Sequence, residues 1–199
     1  MLPVPNRRVS KTKRELKDAL ILLMETKEFK HITVTDIVTR AELNRGTFYK
    51  HYQTKEELLG ELMNDVMEDL IRAYNEPYLH TDKLVIGELT ASSVIIFKHV
   101  DSYSDFYRII INSNALPGFQ DRICGTLKQL VMQEQDIMGS SDGKINPDLF
   151  ASYIAYALFG LIVEWVKEGY KYTPDHMAEQ LIRILTYPYD RADGRAPRF

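Results

Sequence analysis

Three helix starts are crowded into the stretch from Thr33 to Glu57, TVTDIVTRAELNRGTFYKHYQTKEE, and nothing else in the chain restricts its fold so tightly. Thr33 and Asp36 have the spacing of a helix start, in which the hydroxyl accepts a bond from an unpaired first-turn N–H. A helix is expected from about Val34 to Ala41. Ile37, Val38 and Ala41 would face inward, leaving Thr35, Thr39 and Arg40 outward. Asn44 is the next capping residue. Behind it Arg45, Gly46 and Thr47 open a very short helix that carries Phe48, Tyr49, Lys50, His51 and Tyr52. A third capping box, Thr54 with Glu57, starts a further helix. Two short helices in this order make a helix-turn-helix.

The outward residues are of the types that reading a duplex requires. Arg45 and Lys50 can reach guanine edges or phosphates, and Thr47 a thymine methyl or a phosphate. Tyr49 and His51 offer polar tips. Lys55, beside the first-turn amides of the third helix, is expected to share a phosphate with them. Thr33, Thr35, Asn44 and Gly46 complete the candidate DNA-binding set. Phe48 and Tyr52, four apart, would pack the helix onto its neighbours. The overall charge of −3 looks wrong for a nucleic-acid binder, but its distribution does not. Residues 1–56 carry 12 Lys and Arg against 7 Asp and Glu, whereas the remainder carries 13 against 21. A basic head on an acidic body turns one end toward phosphates.

The run ITVTDIVTRAELNRGTFYKHYQTKEELL closely resembles the N-terminal DNA-binding domain of TetR-type transcriptional regulators. Its Thr-rich second-helix start, its RGTFYKHY recognition helix and its KEELL opening of a fourth helix carry the likeness, over roughly residues 11–65. The sequence departs from the family at Glu42, where a turn glycine is usual. The loss of the residue best suited to positive φ is expected to alter the turn geometry without loss of the fold. The resemblance implies an all-α chain of about nine helices. A three-helix helix-turn-helix domain would occupy residues 1–54, a helical ligand-binding and dimerisation body 55–190 and a disordered tail 191–199. It also implies a homodimer on a palindromic double-stranded DNA operator, with repression as the default sign and a small-molecule effector as the possible releasing signal.

Beyond the motif the chain reads as helices throughout. The first ten residues, with two prolines and two arginines, are expected to be a loose basic arm, and helix 1 to span about Lys11 to Thr26 with Leu16, Ala19, Leu20, Leu23 and Met24 inward. The helix from Lys55 toward Pro77 is long enough to act as a lever between head and body. Further spans are expected at Lys83–His99, Ser104–Asn112, Pro117–Met138, Pro147–Glu168 and Pro174–Tyr187, joined by a loop at 139–144. The penultimate span has a broad apolar face. Tyr153, Ala157, Leu158, Leu161 and Trp165 from it, with Leu181 and Leu185 from the last, form the expected subunit interface that the resemblance implies. The same stripe fits packing within one chain.

Met63, Met67, Phe97, Tyr103, Phe106 and Tyr107 are the candidate effector-binding residues, again by resemblance. Their spacing equally suits plain core, and any ligand they held would be apolar or aromatic. The five histidines lack metal-ligand spacing, so no metal is expected, and no cofactor either. Nucleophile-elbow, phosphate-loop, HExxH and dinucleotide motifs are all missing from the sequence, which argues against an enzyme. With the single Cys124, no membrane-length apolar run and no signal-like N-terminus, a cytoplasmic protein is expected. GLIVEWVKEGYKYTPDHMAEQL also resembles the bodies of activators from dihydroxyacetone-utilisation operons, which answer to a protein partner. That keeps open a regulator or activator without a small-molecule ligand; the alternative from a different class is an enzyme with a DNA-binding head.

Overall fold

The computed structural model describes residues 7–76, 94–112, 116, 118–138 and 146–186. Among them are nine α-helices, one 3-10 turn and no strand: α1 Arg7–Met24, a 3-10 turn Phe29–His31, α2 Val34–Arg40, α3 Arg45–Tyr49, α4 Lys55–Asn75, α5 Ile96–Ser102, α6 Ser104–Asn112, α7 Phe119–Met138, α8 Pro147–Lys167 and α9 Pro174–Thr186. The expected start at Lys83, the 139–144 loop and the 191–199 tail lie outside the described residues. One expectation is corrected at the N-terminus. α1 begins at Arg7, so Arg7 to Ser10 belong to the helix; the second of the arm's two prolines is Pro5, and no proline or glycine lies between it and the end of α1.

The head is built on α1. Its stripe of Leu16, Ala19, Leu20 and Met24 packs with Ile37 and Val38 of α2, Phe48 of α3 and Leu58 of α4, all buried. α4 packs on α1 on one side and on α5 and α7 on the other, so one helix belongs to both halves of the core. α6 also packs on α1, α7 packs chiefly on α8, and α5 packs on α9. By length and composition α8 could cross a membrane. Seven of its residues, Trp165 and Ile162 among them, are instead buried inside the body.

Two helix ends show how the backbone turns. At the end of α8, Gly169 N–H donates to Val166 O and Tyr170 N–H to Trp165 O, the paired bonds of a Schellman motif. Tyr170 packs edge-on against Trp165 with ring centroids 5.0 Å apart, the apolar contact that accompanies such an end. The end of α2 repeats the pattern with Glu42 in the glycine position: Glu42 N–H donates to Thr39 O at 3.2 Å and Leu43 N–H to Val38 O at 2.8 Å. Glu42 has φ 55. The expected change of turn geometry is therefore corrected, because the bonds at 42 and 43 hold the turn in its left-handed form and Glu42 bears the strain. Glu42→Gly is expected to stabilise the fold by about 1 kcal/mol, raising Tm by ~2–4 °C in a thermal melt.

Candidate nucleic-acid interface

α2 starts as expected. Thr33 Oγ1 accepts from Asp36 N at 3.1 Å while Thr33 N donates to Asp36 Oδ2 at 2.8 Å. Lys27 Nζ adds a bond to the same carboxylate oxygen at 2.7 Å. The Lys27 ammonium, aided by Thr33, holds the Asp36 carboxyl down to about 2. The stability this group contributes is present above its ordinary pKa of 3.8 and is lost only as pH falls toward 2. Thr33 and Thr35 are exposed beside this cap.

Asn44 sets α3. Its Oδ1 accepts from Thr47 N at 2.8 Å and from the Thr47 hydroxyl at 3.1 Å, so the methyl and lone pairs of Thr47 are left for a partner. A Cβ at Gly46 would come within 3.2 Å of that same Oδ1, so the smallest residue suits the second position of the helix. Arg45 lies over the Tyr49 ring, its guanidinium carbon 6.0 Å from the centroid, and Nη2 reaches the Tyr49 hydroxyl at 3.5 Å. Such a contact limits the rotamers of both side chains before any base is met. Phe48 is fully buried and Tyr52 nearly so, as expected of the packing pair. α3 ends at Tyr49, earlier than the sequence suggested. Lys50 is its C-cap and His51 follows in a turn. Arg40 and Lys50 are exposed and without a partner among the described residues.

Lys55 requires a correction. Its ammonium donates to Ile32 O at 2.7 Å, Phe29 O at 2.8 Å and Lys30 O at 3.2 Å, and lies 4.6 Å from the Phe29 ring centroid. An ammonium has three N–H groups, and all three are taken. Lys55 therefore joins the 3-10 turn to the first turn of α4 and has no donor left for a phosphate. Lys55→Met is expected to cost about 1.5–3 kcal/mol of stability. The slope of log K against log salt for DNA binding should stay unchanged, whereas loss of a phosphate contact would lower it by ~1.

The candidate effector residues are placed differently from what the resemblance implied. Phe97, Tyr107, Phe106 and Met67 are buried and Met63 is partly buried in the continuous core. Phe97 meets Trp165 edge-on at 5.7 Å and Phe106 meets Phe119 at 5.3 Å. Tyr103 and Phe106 border a polar cleft of about 650 Å³ between α1, α4 and the start of α6, which Lys17, Glu61 and Asp65 also line. An apolar groove of about 280 Å³ lies elsewhere. Its walls are Tyr153, Ala157, Leu158 and Leu161 of α8 and Leu181, Ile184 and Leu185 of α9, closed by Ala73 and Tyr74 of α4. None of the six effector candidates lines it. Six of the seven candidate interface residues do. The seventh, Trp165, is 2% exposed and is corrected to core: its Nε1 donates to Tyr172 O at 2.9 Å inside its own chain.

Among the described residues no group of three or more His, Cys, Asp or Glu is placed to hold a metal. No local signal in the chain marks the role of His99. It is the buried polar side chain of the described core, and its partner Asp69 lies 30 residues away, beyond any local motif.

A family model described as the transcriptional regulator C-terminal region matches residues 87–187, and one described as bacterial regulatory proteins, tetR family, matches residues 17–62. The chain is 21% identical over 175 residues to an uncharacterized HTH-type transcriptional regulator, YxbF, of Bacillus subtilis (strain 168), covering 86% of this chain and 44% of that protein. It thus spans less than half the length of that relative. It is 24% identical over 192 residues to the HTH-type transcriptional repressor KstR2 of Mycolicibacterium smegmatis, covering 89% and 92%. The structure of the dihydroxyacetone kinase operon activator DhaS superposes with a TM-score of 0.61 at 19% identity, covering 88% of this chain and 94% of that one. At that identity the likeness concerns the fold.

Proposed function

The chain belongs to the tetR family of bacterial regulatory proteins and is a DNA-binding transcriptional regulator, and on that premise we propose that it works as a cytoplasmic homodimeric repressor released from a palindromic operator by a small apolar or aromatic effector. The observation that carries the reading is the recognition helix. Asn44 fixes its start, Tyr49 restrains Arg45, and Arg45 and Lys50 stand exposed on a head that is basic overall. Residues 1–54 act as the reader, and residues 55–190 pair the subunits and receive the signal. Repression agrees with what KstR2 is named for. Two heads are required because one short helix reads only a few base pairs.

The test is fluorescence anisotropy on duplexes from the chain's own promoter region and on random duplexes, over a range of salt. Specific binding that weakens steeply with salt supports the proposal; no salt-sensitive affinity for any duplex rejects it. Arg45→Ala is expected to relax preference at one operator position by ~1–3 kcal/mol. Equal losses on specific and random duplexes would assign Arg45 to the backbone instead.

A second reading, control by a protein partner, is favoured by the close aromatic packing of the effector candidates. Small apolar compounds that weaken operator binding would set it aside.

A further inference from the structure

His99 is 3% exposed and sits where three helices meet. Its Nδ1 is 3.0 Å from Asp69 Oδ2 on α4, and its Nε2 is 3.0 Å from the Tyr107 hydroxyl on α6. Tyr107 is itself fully buried, its ring edge-on to the imidazole at 5.7 Å, and Tyr103 at the α5–α6 corner packs on the imidazole at 5.0 Å. Neither DNA contact nor subunit pairing uses this chain of groups. A buried polar group without partners destabilises a fold, so a fully paired one defines the only spacing of its helices at which it is tolerated.

The chemistry assigns each proton. An ionised carboxylate only accepts, so Nδ1–H donates to Asp69, and Nε2 then accepts the Tyr107 O–H. Burial opposes ionisation of Asp69, yet hydrogen bonds from His99 and Arg72 bring its carboxyl below the ordinary value. Burial also pulls the imidazole below its ordinary value, against the opposing pull of Asp69. Near neutral pH the chain is therefore a neutral imidazole held between an anion and a hydroxyl. Asp69 is on the outer end: it borders the polar cleft whose opposite wall is Lys13 and Lys17 of α1. α4 is thus held both to the head, through Lys17 with Asp65 and Glu61, and to the body, through His99.

Resting on the reading of a paired operator-binding regulator, we infer that His99 is a positioning residue for DNA binding: the Asp69–His99–Tyr107 chain fixes α4 against α5 and α6 at the placement in which the attached heads fit the operator. Breaking it frees α4 to shift and moves the heads out of spacing while each remains intact.

The expected consequences separate this role from simple support of the core. Tyr107→Phe removes the hydroxyl donor with little change of volume, and Asp69→Asn removes the charge. Each is expected to weaken operator binding ~5-fold or more in anisotropy at 25 °C, with the protein folded by circular dichroism. The salt slope should not change, because the phosphate contacts are untouched. His99→Gln, with an amide N–H for Asp69 and a carbonyl oxygen for Tyr107, should restore much of the affinity that His99→Leu loses.

Acid gives an independent readout. The charged and titratable groups that face the imidazole are Asp69 and Arg72 from α4, Tyr103 from the α5–α6 corner and Tyr107 from α6; α9 brings Asp175, which pairs with Lys98 on the neighbouring position of α5. A histidine whose folded pKa is depressed stabilises the fold above its ordinary pKa of 6.5, and that stability declines as pH falls through and below it. Ionised, both ring nitrogens donate, and Tyr107 loses its acceptor. Operator affinity should drop more between pH 7 and pH 5.5 in the parent than in His99→Gln. If Tyr107→Phe and Asp69→Asn melt at lower temperature but bind the operator within twofold of the parent, and the pH profiles of parent and His99→Gln coincide, the role is merely structural and the inference is overturned.

Discussion

Trp165→Asp is expected to unfold the body and not to release folded monomers. The indole is 2% exposed, meets Phe97 and Tyr170 edge-on, and hydrogen-bonds the carbonyl of Tyr172. Truncating a buried Trp costs ~3–5 kcal/mol, and the aspartate adds a carboxylate for which the described core holds no buried lysine or arginine. Against a total stability of ~5–15 kcal/mol, that removes most or all of the margin. The check is a thermal melt by circular dichroism with limited proteolysis. A variant that melts within a few degrees of the parent would return Trp165 to the surface. Trp165→Phe fills most of the space and loses the one hydrogen bond, so it should cost about 1 kcal/mol beyond the packing change.

Tyr153→Glu combined with Ile184→Glu should do what the tryptophan cannot. These side chains are 70% and 57% exposed, on α8 and α9, beside the apolar groove. Leu149, Tyr156 and Leu185 are exposed on the same two helices. Placing two charges there removes few contacts within the chain, so each subunit should melt as before, while a self-paired seam would bring four carboxylates together across a two-fold axis. Monomers are expected by light scattering. Operator affinity should fall ~10²–10⁴-fold, the advantage of holding two modules on one duplex. An unchanged dimer mass would put the interface elsewhere, and unchanged operator affinity in a monomer would remove the need for paired heads.

Much of the fold could be read in the sequence where the signals are local. The caps at Thr33, Asn44 and Thr54 act over three residues, and each starts its helix where the spacing says. α8 and α9 begin as expected for the same reason, behind Asn146 and Thr173. What escaped the sequence depends on distance. Lys55 looks like a phosphate ligand until the carbonyls of Phe29, Lys30 and Ile32 arrive from 23 to 26 residues away. The periodicity that marks Trp165 as apolar is the same on the inward and outward sides of α8, so only packing separates it from Tyr153. Glu42 escaped for another reason: intrinsic preference disfavours positive φ in glutamate, but two backbone bonds outweigh a preference of about that size.

The three carbonyl bonds made by Lys55 also govern how force travels through the molecule. With the 3-10 turn closed onto the first turn of α4, there is no loose joint at which a swing of that helix could be absorbed. α4 has 21 residues, ~31 Å at 1.5 Å per residue, so a tilt of ~5° about its far end carries its first turn ~3 Å sideways. A displacement of that size is longer than the tolerance of any hydrogen bond to a base edge. The welded joint leaves the shaft stiff, so on the proposed reading a small push at its remote tip would prise the reader from the groove.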